Sequence, residues 1–143
     1  MQLHRGRLID HIHLRTRDLE AMKRFYKAVL EAVGVPVVEG SHPTGDGDYF
    51  YADELWVDVG EPGSHVHLAF QAWDEETVKR FHAAALANGG RDNGGPGERP
   101  YHPGYYAAFA YDPDGNNIEA VFHGPADKSA DSVVITWDDE PKS

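Results

Sequence analysis

Cysteine is absent from this 143-residue chain. That excludes disulfides, thiolate-bound metals and a cysteine nucleophile, and it makes a reducing cytoplasm the default expectation. Positive charge is scarce. Thirteen Lys and Arg stand against 24 Asp and Glu, for a formal net charge of −11. Nucleic acid and anionic membrane surfaces are bound mainly by cations that neutralise phosphates, so neither is an expected partner. No hydrophobic run approaches the length of a membrane span, and Met1-Gln2-Leu3-His4-Arg5 opens no signal-peptide pattern. Phosphate-binding glycine loops, a serine nucleophile elbow and kinase signatures are missing too. Gly94-Gly95-Pro96-Gly97 reads only as a flexible loop. The length suits one domain spanning residues 1–143.

Histidine, by contrast, is plentiful, with nine copies. Its placement follows an internal duplication. Shifting the sequence by 56 positions lays Asp18 on Asp74, Lys23-Arg24-Phe25 on Lys79-Arg80-Phe81, Leu30 on Leu86, Gly34 on Gly90 and Tyr49 on Tyr105. The same shift lays His11 on His67. A repeated unit with one imidazole at the same place in each copy suggests a metal near a pseudo-two-fold axis.

Each copy reads as β-α-β-β-β, so the expected fold is α+β with two tandem modules, about 7–62 and 64–124, and a tail at 125–143. In the first module, residues 8–14 are strand-like. Asp18 suits a helix N-cap, and Met22, Phe25, Tyr26, Val29, Leu30 and Val33 follow at helical spacing until Gly34 and Pro36. A weak strand at 35–39, a loop at 40–48 and strands at 49–52 and 55–59 complete it. In the second, a strand at 65–72 precedes a helix capped by Asp74 and stopped by Gly89-Gly90. A loop at 89–104 leads to a hairpin, 105–111 and 116–122, turned by Asp112-Pro113-Asp114-Gly115. The tail is expected to add a strand at 132–137.

Side chains alternate across a strand, so parity sorts them into faces. Ile12 and Leu14 oppose His11, His13 and Arg15; Val66, Leu68 and Phe70 oppose His65, His67 and Gln71; Ile118, Ala120 and Phe122 oppose Asn117, Glu119 and His123. The apolar faces suit packing on helices. Burying the polar faces without partners would cost roughly 1–3 kcal/mol per group, so they are expected to meet water, a ligand or a metal. His11, His67 and Glu119 are the expected ligands of one divalent ion, with open positions for water or substrate. His13 and His65 share that face and compete for ligand status. His102, in the loop before the hairpin, is a candidate acid–base group beside Glu119. Tyr49, Tyr51, Trp56, Tyr105 and Tyr106 suit either a pocket wall or a core. The expected pocket residues are His13, Arg15, His65, Tyr105, Tyr106 and Asn117.

Asp10-His11-Ile12-His13-Leu14, then Phe25-Tyr26, then His67-Leu68-Ala69-Phe70, then Asp112-Pro113-Asp114-Gly115-Asn116-Asn117-Ile118-Glu119 together resemble the vicinal oxygen chelate superfamily. It includes glyoxalase I, extradiol dioxygenases and bleomycin-resistance proteins. The resemblance covers residues 7–123. It implies paired βαβββ modules forming a metal-binding cleft, often in a homodimer, with His11, His67 and Glu119 as ligands of iron, zinc, nickel or manganese. It also implies lyase, isomerase or dioxygenase chemistry on a small oxygenated substrate. The alternative it carries is a bleomycin-resistance type of protein that sequesters a small molecule without catalysis. A fourth, acidic ligand found in some members has Trp56 at its place here.

Overall fold

A computed structural model describes residues 2–5, 11–42, 47–125 and 133–136, the two terminal strands as backbone. The first module contains β2 (Ile12–Thr16), α1 (Leu19–Ala32), β3 (Val38–Ser41), β4 (Asp48–Ala52) and β5 (Leu55–Val59). These strands form a sheet of order β2-β5-β4-β3, with β2 and β5 parallel. The second module contains β6 (His67–Gln71), α2 (Glu75–Ala87), β7 (Arg91–Asp92), β8 (Gly97–Glu98), β9 (Tyr106–Tyr111) and β10 (Asn117–Phe122). Its sheet runs β6-β10-β9-β7, and β8 also pairs with β9. The remaining strands, β1 (Gln2–Arg5) and β11 (Val133–Thr136), pair antiparallel with each other.

Both helices start as their sequences dictate. Asp18 accepts a hydrogen bond from the Ala21 amide at 3.1 Å, and Asp74 accepts from the Thr77 amide at 2.7 Å. Gly34 ends α1 at φ +86°, a left-handed conformation that costs a glycine nothing. The third strand lies later than the expected 35–39. The Val35 amide still bonds the Leu30 carbonyl and Pro36 follows, so pairing starts only at Val38. The expected 89–104 loop contributes the short strands β7 and β8. No side-chain period announces them, because they exist only by pairing with the edge of β9. The tail strand appears at 133–136; residues 8–10 of the expected first strand, and 132 and 137, lie outside the described residues.

The helices form the middle of the molecule. Met22, Phe25 and Tyr26 of α1 share one buried cluster with Phe50 and Val57 of the first sheet, Phe81 and Ala85 of α2, and Ala110 and Ile118 of the second. Full burial of such side chains contributes roughly 1.5–3 kcal/mol each before entropy is counted. Gly90 is required by space: a Cβ there would sit 2.6 Å from the Phe25 ring and 2.8 Å from the Ala85 carbonyl oxygen. Each sheet therefore turns its apolar face to the helices, leaving its histidine-bearing face on the far side.

A buried polar clasp joins the modules. The Tyr26 hydroxyl donates to Asp112 Oδ2 at 2.6 Å, and Asn116 Nδ2 donates to the same atom at 2.8 Å. Asp112 Oδ1 accepts from the Asp114 and Asn116 amides, and Asn116 Oδ1 accepts from the Val66 amide. Burial, then the Asp112 carboxylate, push the Tyr26 hydroxyl pKa well up. Asp112-Pro113-Asp114-Gly115-Asn116 is thus both the expected turn, with Gly115 at φ +89°, and a lock between α1 and the second module.

Candidate functional site

On the second sheet, strand register creates the site. Parallel pairing sets Asn117 beside His67 and Glu119 beside Ala69. All four side chains point away from α2, and the small Ala69 leaves room for the carboxylate to lean toward His67. His67 Nε2 lies 2.9 Å from Glu119 Oε1. The Tyr105 hydroxyl donates to Glu119 Oε2. Glu119 is 2% exposed, while the His67 side chain is 52% exposed. A buried carboxylate is thereby held from both sides, with an accessible imidazole next to it. Burial first, then the hydrogen bond and charge of Glu119, push the Tyr105 hydroxyl pKa up to about 12.

The other predicted residues sort into three groups. His102 Nδ1 donates to the Pro103 carbonyl at 2.9 Å, and its Nε2 lies 2.9 Å from His123 Nδ1. Both imidazoles meet the Tyr105 ring edge-on at 5.3 Å, one ring away from Glu119. Gly104 and Gly124, both at positive φ, make this meeting possible, since a Cβ on Gly124 would lie 3.0 Å from Gly104 Cα. Asn117 accepts from Asn93 at 3.1 Å on the open face. Tyr106 does not reach it. One residue out of phase with Tyr105, it packs with Phe122 against Ala72, Val78 and Ala108 beneath α2.

The first sheet carries the remainder. His11 is exposed just ahead of β2, and His13 Nε2 lies 2.7 Å from Asp58 Oδ1, with Arg15 4.0 Å from the same carboxylate. Tyr49, Trp56 and Tyr51 form a near-parallel stack, with centroids 4.3 Å apart for Tyr49–Trp56 and 5.4 Å for Tyr51–Trp56. This stack fills the face where the second sheet has Glu119. A cavity of about 630 Å³ opens where the modules meet, lined among others by His13, Arg15, Arg17, Glu61, His65 and Asp114. His67 and Glu119 do not line it, so it is separate from their pair. Arg17 closes one side through an ion pair with Glu61.

The donor set fits a divalent ion in part. An imidazole nitrogen and a carboxylate oxygen 2.9 Å apart match neighbouring ligands on an ion bound at roughly 2.0–2.2 Å. Among the described residues, no three His, Asp or Glu side chains cluster as a metal site. His67 and Glu119 meet; His11 does not join them within one chain.

The model of the Glyoxalase/Bleomycin resistance protein/Dioxygenase superfamily matches residues 8–120. The chain belongs to this superfamily. A glyoxalase/bleomycin resistance protein from Albidiferax ferrireducens is 31% identical over 80% of this chain and 98% of its own, with a TM-score of 0.65. Two more distant structures share the fold. A glyoxalase-related enzyme from Fulvimarina pelagi is 21% identical, covering 91% of this chain and 98% of its own, at a TM-score of 0.63. A lactoylglutathione lyase from Agrobacterium tumefaciens is 22% identical, covering 81% and 93%, at 0.57. No curated protein matches the chain. The superfamily accounts for the duplicated architecture. Among the described residues no helix is long and apolar enough to cross a membrane.

Two functional features escaped the sequence reading. The His102–His123 contact depends on a glycine-to-glycine backbone crossing, for which Gly104 and Gly124 are the only local signal. The Glu119–Tyr105 bond joins positions 14 apart, and its signal was their shared parity across a hairpin.

Proposed function

We propose that the protein is a metal-dependent enzyme on a small oxygenated substrate, holding one divalent ion with His67 and Glu119 and with His11 as the third ligand. The observation that carries this is the His67–Glu119 contact on an open polar face. A bound ion would polarise a carbonyl or hydroxyl oxygen of the substrate, the chemistry common to lyase, isomerase and dioxygenase reactions. The chain's own groups do the rest. Tyr105 orients the Glu119 carboxylate and occupies one of its oxygens, leaving the other toward His67. His102 and His123 face each other at 2.9 Å behind the Tyr105 ring and supply imidazoles for moving protons.

The chain works as a homodimer in this reading, cytoplasmic as its composition suggests. Both polar faces lie away from the central helices, so a second copy can lay its first sheet over the second sheet of its partner. Such a cleft would unite His11 with His67 and Glu119 and set the Tyr49–Trp56–Tyr51 stack opposite the ion. A second reading, sequestration of a planar small molecule without catalysis, is favoured by that stack alone.

Metal analysis of the native chain tests the first reading: stoichiometric metal is expected, lost in His67→Ala and Glu119→Gln. A metal-free native protein that still binds planar drugs would establish the second reading instead. The shared cleft is tested by mixing His11→Ala with His67→Ala chains. Each alone should bind no metal, whereas each mixed dimer regains one intact site. No recovery on subunit exchange would overturn the shared cleft.

A further inference from the structure

The Gly94-Gly95-Pro96-Gly97 segment is occupied by Arg99. Its guanidinium lies over the Phe109 ring, Cζ 5.4 Å from the centroid. Nη2 donates to the Gly95 carbonyl at 2.8 Å and Nη1 to the Glu98 carbonyl at 3.3 Å. A Cβ on Gly94 would come within 3.2 Å of Nη2, and one on Gly97 within 3.2 Å of Nη1. The loop is thus bare where the guanidinium rests against it. The Phe109 ring also meets His67, 6.0 Å between centroids. Arg99 and the imidazole of the candidate metal pair therefore share one aromatic neighbour.

The chemistry of this cradle is specific. Carbonyls and a ring face fix the guanidinium plane, yet they leave its positive charge unneutralised. Arg17, by contrast, is closed by Glu61, and Arg15 lies near Asp58. Among the described residues Arg99 has no carboxylate within ion-pair distance and uses two of its N–H groups. The guanidinium fork has five, so donors remain for a further partner. A preoriented fork with spare donors matches the two oxygens of a carboxylate or phosphoryl group. In a chain of net charge −11, a cation held this way on a ligand-facing surface gives local attraction where the overall field repels anions.

We propose that Arg99 anchors an oxyanion group, carboxylate or phosphoryl, of the ligand that occupies the His67–Glu119 face. The proposal rests on the reading of that face as the ligand site, but it does not depend on metal. Residues 94–97 serve as the seat of the anchor: they hold the fork in plane, and the ligand's other end reaches His67.

The test uses the metal-free full-length chain, titrated separately with benzoate and with inorganic phosphate. Binding is followed by calorimetry and by the Arg Nε–H resonances. Saturable binding of at least one probe is expected, shifting the Arg99 resonance. Arg99→Gln should weaken it about tenfold or more, and Arg99→Lys by less, because a point charge replaces the fork. Gly97→Ala keeps the charge but displaces the guanidinium, and should weaken binding severalfold. The probe that binds tells carboxylate from phosphoryl recognition. Binding of neither, or equal affinity in native and Arg99→Gln chains, overturns the proposal. Metal stoichiometry measured on the same variants keeps the two readings apart: it should survive Arg99→Gln, and its absence from the native chain would count against the metal site alone.

Discussion

The two modules share a plan and differ in what they put on their outer faces. Each has a capped helix over a sheet whose apolar side faces the centre. On the outer side, the first sheet stacks Tyr49, Trp56 and Tyr51, while the second presents Glu119, tied to His67 and Tyr105. Even the repeated glycine serves different ends. Gly34 supplies a left-handed turn with open space around it, whereas Gly90 makes room for Phe25. Duplication preserved what packing requires and freed the outward positions to specialise, one module toward ring contacts and the other toward a buried carboxylate held by an imidazole and a phenol.

That contrast can be broken most severely at the clasp between the modules. Asp112→Ala removes the acceptor for the buried Tyr26 hydroxyl and for three N–H groups. Stability in urea should fall by about 3 kcal/mol or more. Tyr26→Phe deletes only one bond and should cost about 1–2 kcal/mol. If Asp112→Ala cost no more than Tyr26→Phe, the clasp would not unite the modules energetically.

A smaller effect is expected from pH at the cap of the second helix. Hydrogen bonds from the Thr77 hydroxyl and amide hold the Asp74 carboxyl below its ordinary range. A lowered folded value means the contribution is complete above the unfolded pKa, about 3.9, and is lost as pH falls through the folded one. Asp74→Asn should therefore flatten the stability–pH curve of the native chain below about pH 4. An unchanged slope in that window would show that the cap does not titrate with folding.

The smallest effect tests the independence of the outer faces. Trp56→Ala opens the aromatic stack on a half-buried surface and should cost about 1 kcal/mol or less. Metal retention by the same variant, beside its loss in His67→Ala, would confirm the division of labour. Loss of metal in Trp56→Ala would instead make the stack part of the ligation site.

Much of this was legible locally. Met22, Phe25, Tyr26 and Val29 announced α1 by their spacing, and all four are fully buried. The parity that grouped Asn117 with Glu119 and opposed Ile118 and Ala120 held in β10. Tyr106 departs from its expected place in the pocket because its phase is opposite to that of Tyr105 and puts it under α2. The strands β7 and β8 had no local signal, since two residues carry no period. Arg99 looked like one more exposed arginine because its seat is made of glycines, which reveal nothing about what rests on them.

The sequence by itself determined the duplicated order of elements, the helix ends and the polar side of each strand, since caps and alternation act over a few residues. Only the tertiary structure decided which polar groups meet. His67 and Glu119 lie 52 residues apart, and their contact follows from the parallel register of β6 and β10. That register is set by packing both strands on α2 and α1, a collective choice that no short stretch of sequence encodes.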